Sequence, residues 1–248
     1  MRGIMDKLYI VVPAYNEEEN IETVVGDWYP VVEKVGGESR LVIIDDGSKD
    51  TTYQKMQELA KTRPMFLPVS KQNEGHGATV LYGYQYALKE GADYVFQTDS
   101  DGQTLPGEFW KFWERRADYA MVIGHRKGRQ DGASRVFVTK VLKLVCRICF
   151  NVTVTDANTP FRLMQAEPLA ENIKLVPEKF NLSNVILSVI YAKKKQNVLY
   201  LPITFRPRQG GVNSINLKKI FKIGKKAFHD FRTINRCLKD VEVKKESR

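Results

Sequence analysis

Short apolar runs that break off at polar or Gly/Pro-containing turns set the rhythm of the first half of the chain. Leu8–Val12 stops at Pro13, and Leu41–Ile44 runs into Asp45-Asp46-Gly47. Tyr94–Thr98 ends at Asp99, and Met121–Ile123 ends at Gly124. Between the early runs, helical patterning covers Glu17 to about Val25, Thr51–Lys61 and Ala78–Lys89. Strand-like runs alternating with helices predict an α/β domain with a mostly parallel sheet flanked by helices. In open sheets of this kind, ligands bind outside the carboxyl ends of the strands. Parallel strands would bring the loops Pro13–Glu18, Asp45–Asp50, Asn73–Gly77 and Asp99–Gln103 to one edge, and the site is expected there.

The second half is less regular. Ser134–Phe150 has helical spacing, Asp156–Met164 is a loop leading into a short segment, and Val198–Phe205 is extended. Arg206–Asn216 reads as a loop. In Leu217–Phe231, apolar Leu217, Ile220, Phe221, Gly224, Ala227, Phe228 and Phe231 recur at helical spacing, with Lys218, Lys219, Lys222, Lys225 and Lys226 between them. Such a helix can lie on an anionic membrane surface or pack its apolar side on the domain. The expected division is a catalytic domain over 1–216 and a basic helix with a charged tail over 217–248.

Composition narrows the class. A chain of 248 residues with 43% hydrophobic and 27% charged residues can bury a sizeable core in one domain and is not disordered. No apolar run reaches the ~20 residues that span a bilayer, and Met1–Lys7 carries no signal-peptide apolar stretch. Three cysteines, Cys146, Cys149 and Cys237, are too few and too odd in number for a disulfide scaffold. The C-x-x-C pair lies in an apolar stretch and reads as core. A cytoplasmic protein, free or peripheral on the cytoplasmic face of the membrane, is the expectation. The net charge of +10 calls for an anionic partner: a phosphate-bearing substrate, a membrane surface or nucleic acid. Acidic strand-end loops and the lack of any nucleic-acid motif argue against the last.

The candidate chemistry sits in those acidic loops. Asp99 and Asp101, one residue apart on a turn, can aim at one hard cation such as Mg2+ or Mn2+, and Gln103 adds a third oxygen. The alternative is a solvated turn with Gly102 at positive φ. Asp45-Asp46-Gly47-Ser48 is a second acidic strand end. There Ser48 or Asp50 can cap the following helix while a neighbour binds a ribose or base.

Val11-Val12-Pro13-Ala14-Tyr15-Asn16-Glu17-Glu18, Ile43-Ile44-Asp45-Asp46-Gly47-Ser48-Lys49-Asp50 and Asp99-Ser100-Asp101-Gly102-Gln103 together resemble glycosyltransferase family 2. Three motifs in order at βα spacing are far more specific than one D-x-D. With Asn73-Glu74-Gly75-His76-Gly77, the chain most resembles the branch of dolichol-phosphate mannosyltransferase and bacterial polyprenyl-phosphate glycosyltransferases. The match is good over roughly the first two-thirds. The resemblance implies a GT-A fold, a GDP- or UDP-sugar donor and a divalent metal. Pro13, Tyr15 and Glu17 would line the nucleotide pocket and Asp46 would contact base or ribose. Asp99, Asp101 and Gln103 would hold metal and diphosphate.

Glycosyl transfer builds negative charge on the leaving phosphate. A hydroxyl acceptor then needs a carboxylate base, for which Asp156 is the candidate, whereas a lipid phosphate arrives ionised and needs cations. Asp156-Ala157-Asn158-Thr159-Pro160-Phe161-Arg162 resembles the lipid-phosphate branch, with Pro160 where that branch has glycine. By resemblance, Arg126 and Arg135 would grip the acceptor phosphate. Arg206 and Arg208, beside Gly210-Gly211, would close over the donor, and His76, ahead of a helix, could touch a phosphate. The expected acceptor is a polyprenyl phosphate. The alternatives are a glycan hydroxyl and a catalytically silent sugar-nucleotide sensor.

Overall fold

A computed structural model describes residues 6–126, 133–177 and 180–206, together with the positions 231, 234 and 235; over 133–141 it describes the backbone alone. The amphipathic stretch expected over Leu217–Phe231 and the tail after it therefore lie, apart from those positions, outside the described residues.

Seven strands form one sheet in the order β3-β2-β1-β4-β6-β5-β7. The strands are β1 Leu8–Ala14, β2 Arg40–Asp45, β3 Phe66–Ser70, β4 Tyr94–Gln97, β5 Met121–Arg126, β6 Arg162–Gln165 and β7 Val198–Ile203. The helices are α1 Ile21–Val35, α2 Thr52–Ala60, α3 His76–Lys89, α4 Phe109–Trp113, α5 Ala133–Phe150, α6 Ala166–Ile173 and α7 Ser183–Lys193. β3, β2, β1 and β4 pair in parallel. β6 is antiparallel to both β4 and β5, and β5 is parallel to β7. Two reversals restore direction, so every strand except β6 points its carboxyl end to the same edge. β6 enters the sheet from that edge.

The central strands alternate their side chains between two cores. Tyr9, Val11, Val42, Ile44, Val95, Met121 and Ile123 face one, packed with α3, α5 and α7. Leu8, Ile10, Val12, Leu41, Ile43, Phe96 and Val122 face the other, packed with α1 and α4. Burial on both faces explains why these strands read as unbroken apolar runs. In the second core Trp28, Phe96, Phe109, Phe112 and Phe161 form one aromatic cluster with mostly edge-on contacts. α3 lies close against β1: a Cβ on Gly83 would meet Val11 Cγ1 at 2.2 Å.

Candidate active site

The loops after β1 and β2 are stitched together by side chains capping each other's backbone. Asn16 sits at φ 53, its N–H donates to Ser48 Oγ, and its Oδ1 accepts from the Lys49 N–H, both at 2.9 Å. The Glu17 N–H donates to Thr52 Oγ1 at 2.9 Å. Glu18 Oε2 accepts from the Thr51 N–H and hydroxyl at 3.1 and 2.7 Å. Asp50 accepts from the Thr52 N–H and hydroxyl, at 3.0 and 2.6 Å, and so holds the start of α2. Pro13 is buried in β1, Glu17 is buried with Asn20 Nδ2 donating to it at 2.6 Å, and Tyr15 stands out into solvent.

Asp46 has a structural occupation that its motif did not announce. Oδ1 accepts from Lys71 Nζ at 2.9 Å and from the Glu74 N–H at 3.0 Å; Oδ2 accepts from the Gly75 N–H at 2.9 Å. Its main-chain carbonyl accepts from Asn73 Nδ2 at 2.8 Å. Burial works to raise its pKa, but Lys71 and the amides of the 73–77 loop outweigh it and hold the carboxyl below the ordinary range. Asp46 thus fastens the glycine-bearing loop, and contact with a base or ribose would have to share these oxygens. Asp45 is used likewise, accepting from the Ser48 N–H and the Ser70 hydroxyl.

The loop after β4 carries the paired carboxylates. Gly102 takes φ 68, and the Thr98 and Thr104 hydroxyls meet at 2.8 Å, closing the loop at its base. Asp99 Oδ1 lies 3.1 Å from His76 Nε2. The Gln103 N–H donates to Asp101 Oδ1 at 3.1 Å. Gln103 Nε2 donates to the Arg206 carbonyl at 2.8 Å, and the Arg206 N–H returns a bond to the Gln103 carbonyl at 2.9 Å. Desolvation pulls His76 down, but the carboxylates of Asp99, Asp101 and Asp46 prevail and raise its pKa. Among the described residues no three His, Cys, Asp or Glu side chains converge to hold a metal. A cation here would rest on Asp99, Asp101, the Gln103 amide oxygen and the ligand's own oxygens. That all-oxygen, incomplete set suits Mg2+ or Mn2+.

Arg126, at the end of β5, and Asp156 form a closed pair. Arg126 Nη2 donates to Asp156 Oδ1 at 2.7 Å, and Nε donates to Oδ2 at 2.9 Å. The Arg126 main-chain N–H adds a third bond to Oδ2 at 3.3 Å. Both side chains are buried, and the guanidinium stacks over Phe205, 5.1 Å from its centroid. The two residues expected to act separately, as phosphate grip and as base, are thus brought together. Arg135 lies in the first turn of α5, and its side chain is outside the described residues, as is all of Arg208.

Arg162 was visible in the sequence only as part of a resemblance. Fully buried, it donates to the Ala157, Thr159 and Asn184 carbonyls at 2.6–3.0 Å. No carboxylate lies within hydrogen-bonding reach of it among the described residues, and burial lowers its pKa. It pins the segment that follows Asp156 onto α7. Tyr84, which donates to Gln97 and faces Asn184, continues this buried polar layer behind the site.

All these groups stand at one edge of a GT-A-type sheet: a parallel βα half, a D-x-D loop, and an antiparallel strand before the last parallel ones. The family model for glycosyl transferase family 2 matches residues 9–172, and the chain belongs to that family. The chain is 26% identical over 216 residues to the polyprenol monophosphomannose synthase of Mycolicibacterium smegmatis, covering 84% of this chain and 80% of that one. It is 33% identical over 220 residues to the UDP-N-acetylglucosamine–dolichyl-phosphate N-acetylglucosaminyltransferase of Methanococcus voltae, covering 80% and 85% respectively. Among solved structures, glucosyl-3-phosphoglycerate synthase from Mycobacterium tuberculosis, determined with Mn2+, UDP-glucose and phosphoglyceric acid, superposes with a TM-score of 0.67. That likeness has 16% identity and covers 93% of this chain and 80% of that one. It defines the fold.

Proposed function

We propose that this chain transfers a sugar, with inversion, from a GDP- or UDP-sugar to a polyprenyl phosphate. The observation that carries the choice of acceptor is the closed Arg126–Asp156 pair. A general base needs a lone pair directed at the acceptor hydroxyl. Asp156 accepts three bonds from Arg126, and the facing guanidinium stabilises its ionised form, so it is a weakened base. An acceptor phosphate is already ionised and needs no base; it needs a fixed cation at its side. A guanidinium held by its partner carboxylate is pre-oriented for that task. The names of both relatives, one a polyprenol and the other a dolichyl-phosphate enzyme, support the same acceptor class.

In this reading the donor's nucleoside lies over the stitched loops of Pro13–Glu18 and Asp45–Asp50. Its diphosphate reaches the Asp99–Gln103 turn, with Arg206 and Arg208 at its flank. A divalent cation bound there supplies charge neutralisation for the leaving diphosphate. Asp99 and Asp101 hold it, and His76 orients Asp99. Arg126 and Arg135 place the acceptor oxygen on the opposite face of the sugar. The lipid brings the reaction to a bilayer surface. α5 exposes Leu144 and Ile148, at 57% and 66%, on successive turns beside exposed Lys143 and Arg147. No helix among the described residues is long and apolar enough to cross a membrane.

Calorimetry with GDP-mannose, UDP-glucose and related donors, each with and without Mn2+, tests the donor half. The expected result is metal-dependent binding of one donor, lost in Asp101→Ala. The selected donor, radiolabelled, is then offered polyprenyl phosphate or a saccharide. Transfer to the saccharide alone would overturn the acceptor assignment, and binding of no donor would overturn the enzymatic reading.

A further inference from the structure

We propose that Gln103 is a positioning residue that ties the cation site to the placement of Arg206, through the two ends of its side-chain amide. The inference deepens the reading of Asp99–Gln103 as a cation site and rests on it.

Gln103 and Arg206 are 103 positions apart, yet they are joined by a reciprocal pair of hydrogen bonds: Nε2 to the Arg206 carbonyl at 2.8 Å, and the Arg206 N–H to the Gln103 carbonyl at 2.9 Å. The main chain of Gln103 is in turn fixed to Asp101 Oδ1 at 3.1 Å. Gln103 is buried at 6% exposure, whereas Arg206, three residues past β7, is exposed. A carbonyl can be satisfied only by a donor, so the bond to Arg206 fixes which end of the amide is nitrogen. The amide is planar, and its oxygen is then fixed as well. That oxygen makes no hydrogen bond to any described residue and remains for a cation beside Asp101.

A primary amide can serve a cation with its oxygen and a carbonyl with its nitrogen. A third carboxylate would serve the cation and repel the Arg206 carbonyl. The residue type at 103 thus follows from a double duty. A cation drawn onto the Gln103 oxygen immobilises the amide and with it the Arg206 backbone, so that the arginine is set at the donor's flank when the cation is present.

Gln103→Glu separates the two duties, since it keeps an oxygen for the cation and loses the donor to Arg206. In the full-length chain, Mn2+ affinity read by electron paramagnetic resonance should stay within about threefold of wild type. Affinity for GDP or UDP in the presence of Mn2+ should fall about tenfold, the effect of losing roughly 1.4 kcal/mol. Arg206→Ala should fall by a similar factor, and the double variant should be no worse than Arg206→Ala alone, because the two act as one unit. By hydrogen exchange, Mn2+ should slow the peptide covering 198–206 in wild type and not in Gln103→Glu. Equal nucleotide affinity and equal exchange in wild type and Gln103→Glu would overturn the proposal. So would a penalty that persists undiminished in the Arg206→Ala background, which would mark a simple charge effect. Should Gln103→Glu not fold, wild-type exchange decides: unchanged rates at 198–206 on saturation with Mn2+ would sink the coupling. Failure of wild type to bind Mn2+ at all would instead condemn the cation site itself.

Discussion

Asp46 and the Asp156–Arg126 pair carry the clearest energetic consequences at the scale of single residues. The folded pKa of Asp46 is held below its unfolded value by Lys71 and the 73–77 amides. Its stabilisation is therefore complete at neutral pH and is lost as pH falls from about 4 through the lower folded value. Asp46→Asn should destabilise the protein at pH 7 by about 1–3 kcal/mol. The gap from wild type should narrow in acid, which denaturant titrations at pH 7 and pH 3 would measure. For the buried pair, Asp156→Ala leaves a buried guanidinium without its partner and should cost about 3–5 kcal/mol. Removing both charges, in Asp156→Ala/Arg126→Met, should recover part of that loss. Equal melting of wild type and Asp156→Ala would show that the pair does not bear on stability. Cys146, by contrast, is inert: burial, then Cys149, pushes its thiol up to about 12, so the C-x-x-C reads as core in the structure as it did in the sequence.

At the scale of elements, the glycines of α1 and α3 separate two kinds of constraint. A Cβ on Gly77 would lie 2.2 Å from the Phe180 carbonyl oxygen, a backbone atom that cannot step aside. Gly77→Ala should cost about 1–3 kcal/mol and move the loop that Asp46 holds, weakening donor binding. A Cβ on Gly26, within α1, meets nothing within 4 Å. Gly26→Ala should therefore stabilise by about 0.5–1 kcal/mol without touching donor affinity. Elements with two-sided burial or clean helical spacing, such as β1, β2, β4 and α3, were legible as patterns. β3 was not, because Phe66–Ser70 is a half-buried edge strand interrupted by Pro68. α7 was missed because almost every position in Ser183–Lys193 is buried, which erases the amphipathic period. α1 runs on to Val35 past Gly26, Asp27 and Pro30, since Trp28, Tyr29, Val31 and Val32 all pack into the core and tertiary burial overrides the local breakers. The site followed the same division. The acidic loops could be read from strand ends alone, whereas Lys71, Gln103's hold on Arg206 and the Arg126–Asp156 closure depend on contacts between distant segments, which no local pattern encodes.

For the whole molecule, the proposed polyprenyl-phosphate acceptor requires that a domain with this sheet approach a bilayer. The chain carries 39 Lys and Arg against 29 Asp and Glu, yet the site edge gathers carboxylates. Its excess positive charge therefore acts as a long-range field in addition to the local arginines proposed at the site. α5 is the next described element after β5, and its exposed Leu144 and Ile148 with Lys143 and Arg147 combine apolar insertion with cation attraction. Binding to vesicles containing anionic phospholipid should exceed binding to purely zwitterionic vesicles and weaken from 50 to 500 mM salt. Leu144→Asp/Ile148→Asp should reduce vesicle sedimentation severalfold while leaving Mn2+-dependent donor binding intact, because neither residue is among those of the candidate donor site. If the double variant sediments like wild type, the attraction comes from elsewhere on the basic surface. If it loses donor binding too, α5 supports the fold of the site and not its approach to the membrane. Vesicle binding that falls while donor binding holds would make α5 the element that brings the proposed acceptor side to the bilayer surface, where the phosphate of a polyprenyl acceptor would be presented.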